Sequence, residues 1–216
     1  MNLIVSLHSL TDLEAVVAEE PWAIEVRLDL IDGLTADDLA KVRQVWNGGI
    51  LLTLRSKAEG GRFTGDPDEW RRRIEPYLPF CDMVDIEERF SEHAGWIRGL
   101  DKQVIASFHA DLMLDADQFL DLSTRLRRFG DIPKIVLAPG TDEDALLLLK
   151  YLLDAENPLC LSIMGSGYAW LRPFLLMMGS AFAYCHAGGA TAAGQYHIRE
   201  MRAIISLLTR DMAPTM

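Results

Sequence analysis

The sequence predicts a (β/α)8 TIM barrel, and three observations carry that expectation. Short strand-like apolar runs alternate with helical stretches from one end of the chain to the other, eight times over; strands alternating with helices imply a parallel sheet. The length of 216 residues lies at the compact limit for eight such repeats. No Gly/Ser linker, low-complexity tract or composition break interrupts the run, so residues 1–216 read as one domain. A doubly wound open sheet is the alternative, but the first βα turn lacks the GxGxxG of dinucleotide-binding sheets.

The expected strands are 2–7, 23–30, 50–54, 83–87, 104–108, 132–138, 159–164 and 181–185. The first follows no basic n-region or long apolar h-region, so no signal peptide is expected. The second, Ile24-Glu25-Val26-Arg27-Leu28-Asp29, sets Glu25, Arg27 and Asp29 on one face. Three charges pointing into a barrel are costly unless they pair or bind something. Thr35 with Asp38 opens the next helix as a capping-box variant. The third strand ends Thr53-Leu54-Arg55 and continues to Glu59-Gly60-Gly61, where Arg55 offers a forked donor and the glycines permit close backbone approach. Asp66-Pro67 supplies an N-cap and a proline for the first helical position.

The fourth strand, Val84-Asp85-Ile86-Glu87, again puts two acids on one face. The fifth ends Ser107-Phe108-His109, with an imidazole at the rim, and Asp115 with Gln118 opens a helix over 115–128. The sixth carries Lys134 inside an apolar run bounded by prolines, and Thr141 with Asp144 caps the helix after it. After the seventh come Met164-Gly165-Ser166-Gly167, best read as a plain turn, and then Arg172. The eighth leads into a loop holding Thr191 and Gln195, and the last helix is expected over about 193–208, with Ile198, Ala203/Ile204 and Leu207/Leu208 on one face.

Composition narrows the function classes. Half the residues are hydrophobic, and a chain this long buries about 70% of its extended-chain surface without staples. A net charge of −11 argues against general binding to nucleic acid or anionic membranes, while leaving room for an anionic small molecule held by local arginines. No uncharged apolar run approaches the ~20 residues that cross a bilayer. Cys81, Cys160 and Cys185 lie in apolar segments without metal-ligand spacing, as reduced core thiols of a cytoplasmic protein would.

Lys134 is the residue around which the chemistry gathers. Burying an ammonium disfavours its charged form, and a free amine attacks carbonyls to form a Schiff base. The alternative is a strand-end lysine that snorkels its head to water. In a barrel of this kind catalytic groups come from the C-terminal ends of several strands. A lysine, a histidine, two arginines, acids and an amide at successive strand ends describe a site for a carbonyl compound bearing a carboxylate. The lysine is the electrophile sink, the histidine moves protons, and the arginines clamp the anion.

These segments resemble type I 3-dehydroquinate dehydratase. The resemblance rests on Glu25-Val26-Arg27-Leu28-Asp29, Thr53-Leu54-Arg55 through Glu59-Gly60-Gly61, Val84-Asp85-Ile86-Glu87, Ser107-Phe108-His109, Pro133-Lys134-Ile135 and Thr191-Ala192-Ala193-Gly194-Gln195, in family order over most of the chain. It implies a TIM barrel that dehydrates 3-dehydroquinate to 3-dehydroshikimate in the shikimate pathway, with no cofactor and no metal. It implies that Lys134 forms the imine, His109 moves the proton and Glu59 orients His109. Glu25, Arg27 and Arg55 then match residues around the ring hydroxyls, while Arg172 and Gln195 match those holding the carboxylate. Thr191 stands where the family usually has serine and Ala193 where it has proline, so a more mobile loop is expected. Only one strand precedes the second, in place of the family's extra N-terminal hairpin. A homodimer is also implied by the resemblance. Two rivals remain: a class I aldolase acting on a sugar phosphate, and a barrel that binds without catalysing.

Overall fold

A computed structural model describes residues 1–209; residues 210–216 of the expected domain lie outside the described residues. Eight parallel strands form a nearly closed barrel with helices between them: β1 Leu3–Leu7, β2 Ala23–Arg27, β3 Gly49–Thr53, β4 Met83–Glu87, β5 Gln103–His109, β6 Ile132–Leu137, β7 Cys160–Ile163 and β8 Ala183–Cys185. The helices are α1 Leu13–Ala18, α2 Ala36–Val45, α3 Pro67–Ile74, α4 Ala94–Arg98, α5 Ala116–Phe129, α6 Asp142–Asp154, α7 Leu171–Met177 and α8 Ile198–Thr209. No described helix is long and apolar enough to cross a membrane.

The helix starts form where the capping residues place them. Thr35 with Asp38, Asp115 with Gln118 and Thr141 with Asp144 each make both bonds of a capping box, satisfying amides that a helix start leaves open. Asp66 caps α3 ahead of Pro67. Outward strand residues such as Ile24, Val26, Ile50, Leu52, Val84 and Ile86 pack with helix residues such as Leu39, Val42, Trp70 and Ile74.

Three boundaries depart from expectation by more than one residue. β2 stops at Arg27 because Leu30 and Ile31 turn their amides back onto the Arg27 carbonyl. β8 begins at Ala183, since the Ala181 amide bonds Leu159 O across the barrel's closing seam. α8 begins at Ile198 instead of 193, and it buries Ile198 and Met201 while Leu207 is 70% exposed. At the barrel floor Trp22 stacks on Phe182 with centroids 6.2 Å apart.

The sheet hydrogen bonds run β7-β6-β5-β4-β3-β2-β1-β8, leaving β7 and β8 to meet without a ladder. Ser180 fills that seam. Its Oγ accepts from Leu161 N at 3.0 Å and shares its proton between Leu161 O and Phe182 O.

Candidate active site

Inward residues recur at every second position and sort into tiers. The lowest is apolar: Ile4, Leu51, Met83, Ile105, Ile132 and Phe182 pack together, joined by Tyr184. Two residues further along their strands, Ser6, Glu25, Thr53, Asp85, Ser107 and Lys134 make a polar middle tier, all buried. Above them Arg27, Arg55, Glu87 and His109 come from the strand ends or just beyond. A cavity of about 280 Å³ opens over these tiers, and Glu25, Arg27, Arg55, Glu59, His109, Lys134, Arg172, Thr191 and Gln195 all line it.

Lys134 is only 4% exposed, so it does not snorkel. Nor is it unpaired: Nζ donates to Asp85 Oδ2 at 3.0 Å. Asp85 Oδ1 also accepts from Arg55 Nη2 at 2.8 Å and from Ser107 Oγ at 2.5 Å. Burial opposes charge on Asp85, but Arg55, Lys134 and Ser107 outweigh it and hold the carboxyl below its usual range. Arg55 is a hub beneath the cavity, with Nη1 reaching Glu87 at 2.9 Å, Ser107 at 3.0 Å and Glu59 at 3.3 Å.

Glu59 stands on the turn after β3. Gly60 there adopts φ +84°, and a Cβ on Gly61 would collide with the Arg55 carbonyl, so the glycine pair lets the turn fold back over Arg55. Glu59 Oε2 meets His109 Nδ1 at 2.8 Å. Burial pushes the Glu59 carboxyl up to about 8, with the Glu87 and Asp85 carboxylates adding to the rise against Arg55. Burial and the cations Arg55 and Lys134 push the His109 imidazole well below its usual range. Near neutrality the proton between them therefore belongs on the carboxyl, facing a neutral ring.

Glu25 accepts hydroxyls from Ser6 at 2.5 Å and Thr53 at 2.8 Å. Arg27 is held by a bidentate bond to Asp29, both contacts at 2.8 Å. Asp29, expected on the same inward face, lies past the strand end and takes the Arg55 and Arg62 amides instead, which makes it part of the turn and not of the cavity wall.

Arg172 is different in kind. It is 5% exposed, donates to Ala193 O at 3.1 Å, and has no hydrogen-bond partner at Nε among the described residues. Among the described residues no acid pairs with it, and burial lowers its guanidinium below the usual arginine range. The β8–α8 loop beside it is internally tied: Gln195 Oε1 accepts Thr191 N at 2.9 Å, Thr191 Oγ1 at 3.1 Å and Ala192 N at 3.3 Å. The mobility expected from Thr191 and Ala193 is thus opposed by Gln195 within the loop and by Arg172 from outside it.

Sequence reasoning missed Ser6, Thr53 and Tyr184 as cavity residues. Period two from Ile4 and Leu51 would have found the hydroxyls. Tyr184 carried no signal beyond an apolar strand residue.

The chain matches the family described as Type I 3-dehydroquinase over residues 6–212. It is 38% identical to the 3-dehydroquinate dehydratase of Methanoregula boonei over 209 residues, covering 97% of this chain and 100% of that one. It is 37% identical to that of Methanospirillum hungatei, covering 97% of this chain and 82% of that one. Among solved structures, the 3-dehydroquinate dehydratase of Geobacillus kaustophilus superposes with a TM-score of 0.87 at 25% identity, covering 98% of this chain and 92% of that one. That of Aquifex aeolicus gives 0.84 at 25% identity, covering 97% and 100%. A match that spans nearly the whole barrel and every tier of its cavity leaves one conclusion: the chain belongs to the type I 3-dehydroquinase family.

Proposed function

We propose that this protein is a hydro-lyase that converts 3-dehydroquinate to 3-dehydroshikimate through an imine on Lys134, with His109 as general acid and base. The observation that carries the reading is one cavity holding a buried amine, an imidazole backed by an acid, and a buried guanidinium with no acidic partner. Arg172, with Gln195 and Thr191, receives the substrate carboxylate; Glu25, Arg27 and Arg55 surround the ring hydroxyls.

The steps balance without an added reactant. The Lys134 ammonium, paired with Asp85, lends a proton and attacks the ring ketone as the free amine; that proton then carries the carbinolamine hydroxyl away as water and leaves a cationic iminium. His109 then removes a proton from the carbon next to the iminium, and the electron pair passes to nitrogen as an enamine. The enamine returns that pair, the hydroxyl two carbons from the former ketone departs, and His109 protonates it to water. Hydrolysis of the conjugated iminium frees product and Lys134. The base-competent form of the His109–Glu59 pair is reached when the protonated pair gives up one of its two protons; the remaining one sits on Nδ1, held by the Glu59 carboxylate, which leaves Nε2 bare.

Borohydride added with 3-dehydroquinate is expected to fix substrate mass on the peptide containing Lys134, while untrapped enzyme generates conjugated enone absorbance. Label on another peptide, or none during turnover, would overturn the mechanism. The same family resemblance supports a cytoplasmic enzyme of the shikimate pathway, and so of chorismate and aromatic amino acid biosynthesis, made of one catalytic domain over 1–216. It also supports a homodimer. Trp170, Phe174 and Met178 recur every four residues along α7 and its flanks, each 38–42% exposed, an apolar stripe suited to a second copy. Sedimentation of Phe174→Glu should then show half the mass of the native protein; an unchanged mass excludes this face.

A further inference from the structure

Tyr184 of β8 lies beneath Lys134. Lys134 Nζ sits 4.4 Å from the centroid of the Tyr184 ring, while Asp85 Oδ2 holds the same nitrogen at 3.0 Å. The nitrogen is therefore gripped between a carboxylate and an aromatic face, in the arrangement by which ring quadrupoles attract cations. Phe182 meets the ring edge-on with centroids 5.8 Å apart, and both belong to the apolar floor. The Tyr184 hydroxyl is buried and has no hydrogen-bond partner among the described residues, so packing holds the ring under the amine. Burial, with Glu25 and Asp85 nearby, pushes the phenol well above its usual range; it remains neutral and does not compete with Asp85 as an anion.

Condensation of an ammonium with a ketone gives an iminium and water overall: nitrogen gives up a proton to attack, and the charge is restored when the carbinolamine hydroxyl leaves as water, so nitrogen is cationic both before and after the step. An environment that attracts the ammonium through a carboxylate and a π face attracts the iminium in the same place. The iminium has one N–H where the ammonium has three, which Asp85 alone can accept, and its flat delocalised cation suits a ring face. We propose that Tyr184 is a positioning residue for the imine, whose ring face holds the Lys134 nitrogen and stabilises the iminium while its hydroxyl takes no part. This rests on the reading of Lys134 as the imine-forming residue.

The test compares native protein, Tyr184→Phe and Tyr184→Leu by borohydride trapping, kcat, KM and thermal melting. Native protein must first trap on Lys134; if it does not, the imine reading fails before Tyr184 is in question. Tyr184→Phe should trap within about twofold of native and melt no lower, since it loses only an unpartnered hydroxyl. Tyr184→Leu should trap and turn over about tenfold more slowly with KM little changed. Leucine trapping as fast as native overturns the proposal, as does phenylalanine failing as badly as leucine. If Tyr184→Leu does not fold, a series of mono-, di- and trifluorophenylalanine at the position keeps the ring's shape while weakening its face. Trapping should slow stepwise along that series, and a flat series overturns the proposal.

Discussion

Arg172 shows how a single residue can carry a functional argument that its sequence position only hints at. A buried guanidinium with one backbone carbonyl for a partner is held at a cost in stability, because burial penalises a charge that no acid offsets. A bound carboxylate removes that penalty. Arg172→Met should therefore raise KM about 10- to 100-fold, the worth of a charge-assisted hydrogen bond, with a much smaller change in kcat and no fall in melting temperature. A lower kcat at unchanged KM would place Arg172 in the chemistry instead. Lys134 was legible in the sequence because a lysine inside an apolar, proline-bounded run is conspicuous. Its pairing with Asp85 was not, because an ion pair between β4 and β6 depends on how far inward each side chain reaches. Tyr184 was invisible for the same reason: it differs from other apolar strand residues only in what lies above its ring.

At the level of elements, the barrel's weakest joint is the meeting of β7 and β8, where no ladder forms and Ser180 supplies the missing pairing. Ser180→Ala leaves Leu161 N without its buried acceptor, a loss of about 1–3 kcal/mol. The midpoint of urea unfolding should fall accordingly, with the m-value unchanged; a midpoint equal to the native one would show that the backbone bond from Ala181 closes the seam alone. Element order and helix caps could be read from the sequence because capping boxes and alternating runs are local signals. The start of α8 could not. Residues 190–193 are rich in alanine and favour helix, but the Gln195 side chain takes the Thr191 and Ala192 amides into a loop. That competition is settled by the neighbouring Arg172 contact at Ala193 O, which no local pattern reports. The Glu59 turn was the reverse case, since its glycine pair announced a close approach that the structure realises against Arg55.

Across the whole molecule, the net charge of −11 describes the surface, while stability near neutral pH responds to the few charges packed inside the barrel. Glu59 is the group to follow. Its carboxyl is raised from 4.5 to about 8 in the folded protein, so between those values the native state keeps a proton that the unfolded chain has released. Stability from this group is complete below the unfolded value and is lost as pH rises towards the folded one. His109 runs the other way: it is held well below 6.5 when folded, while the unfolded ring is still half protonated at pH 6.5, so its opposing contribution ends only about one unit higher. Asp85, lowered from 3.8, is charged in both states there, and the buried thiols pushed up to about 12 diverge from unfolded cysteine only near pH 9 and above. Among these displaced groups, Glu59 dominates from pH 6.5 to 8, with His109 offsetting a minor part at the lower end, and the native protein should lose about 1 kcal/mol over that interval. Glutamine keeps the shape of the protonated acid and a donor for His109 but has no proton to lose. Chemical unfolding of ligand-free protein across the interval should show a falling line for native protein and a flatter one for Glu59→Gln. Parallel lines would mean that Glu59 is ionised in the folded state, with the shared proton resting on His109 instead.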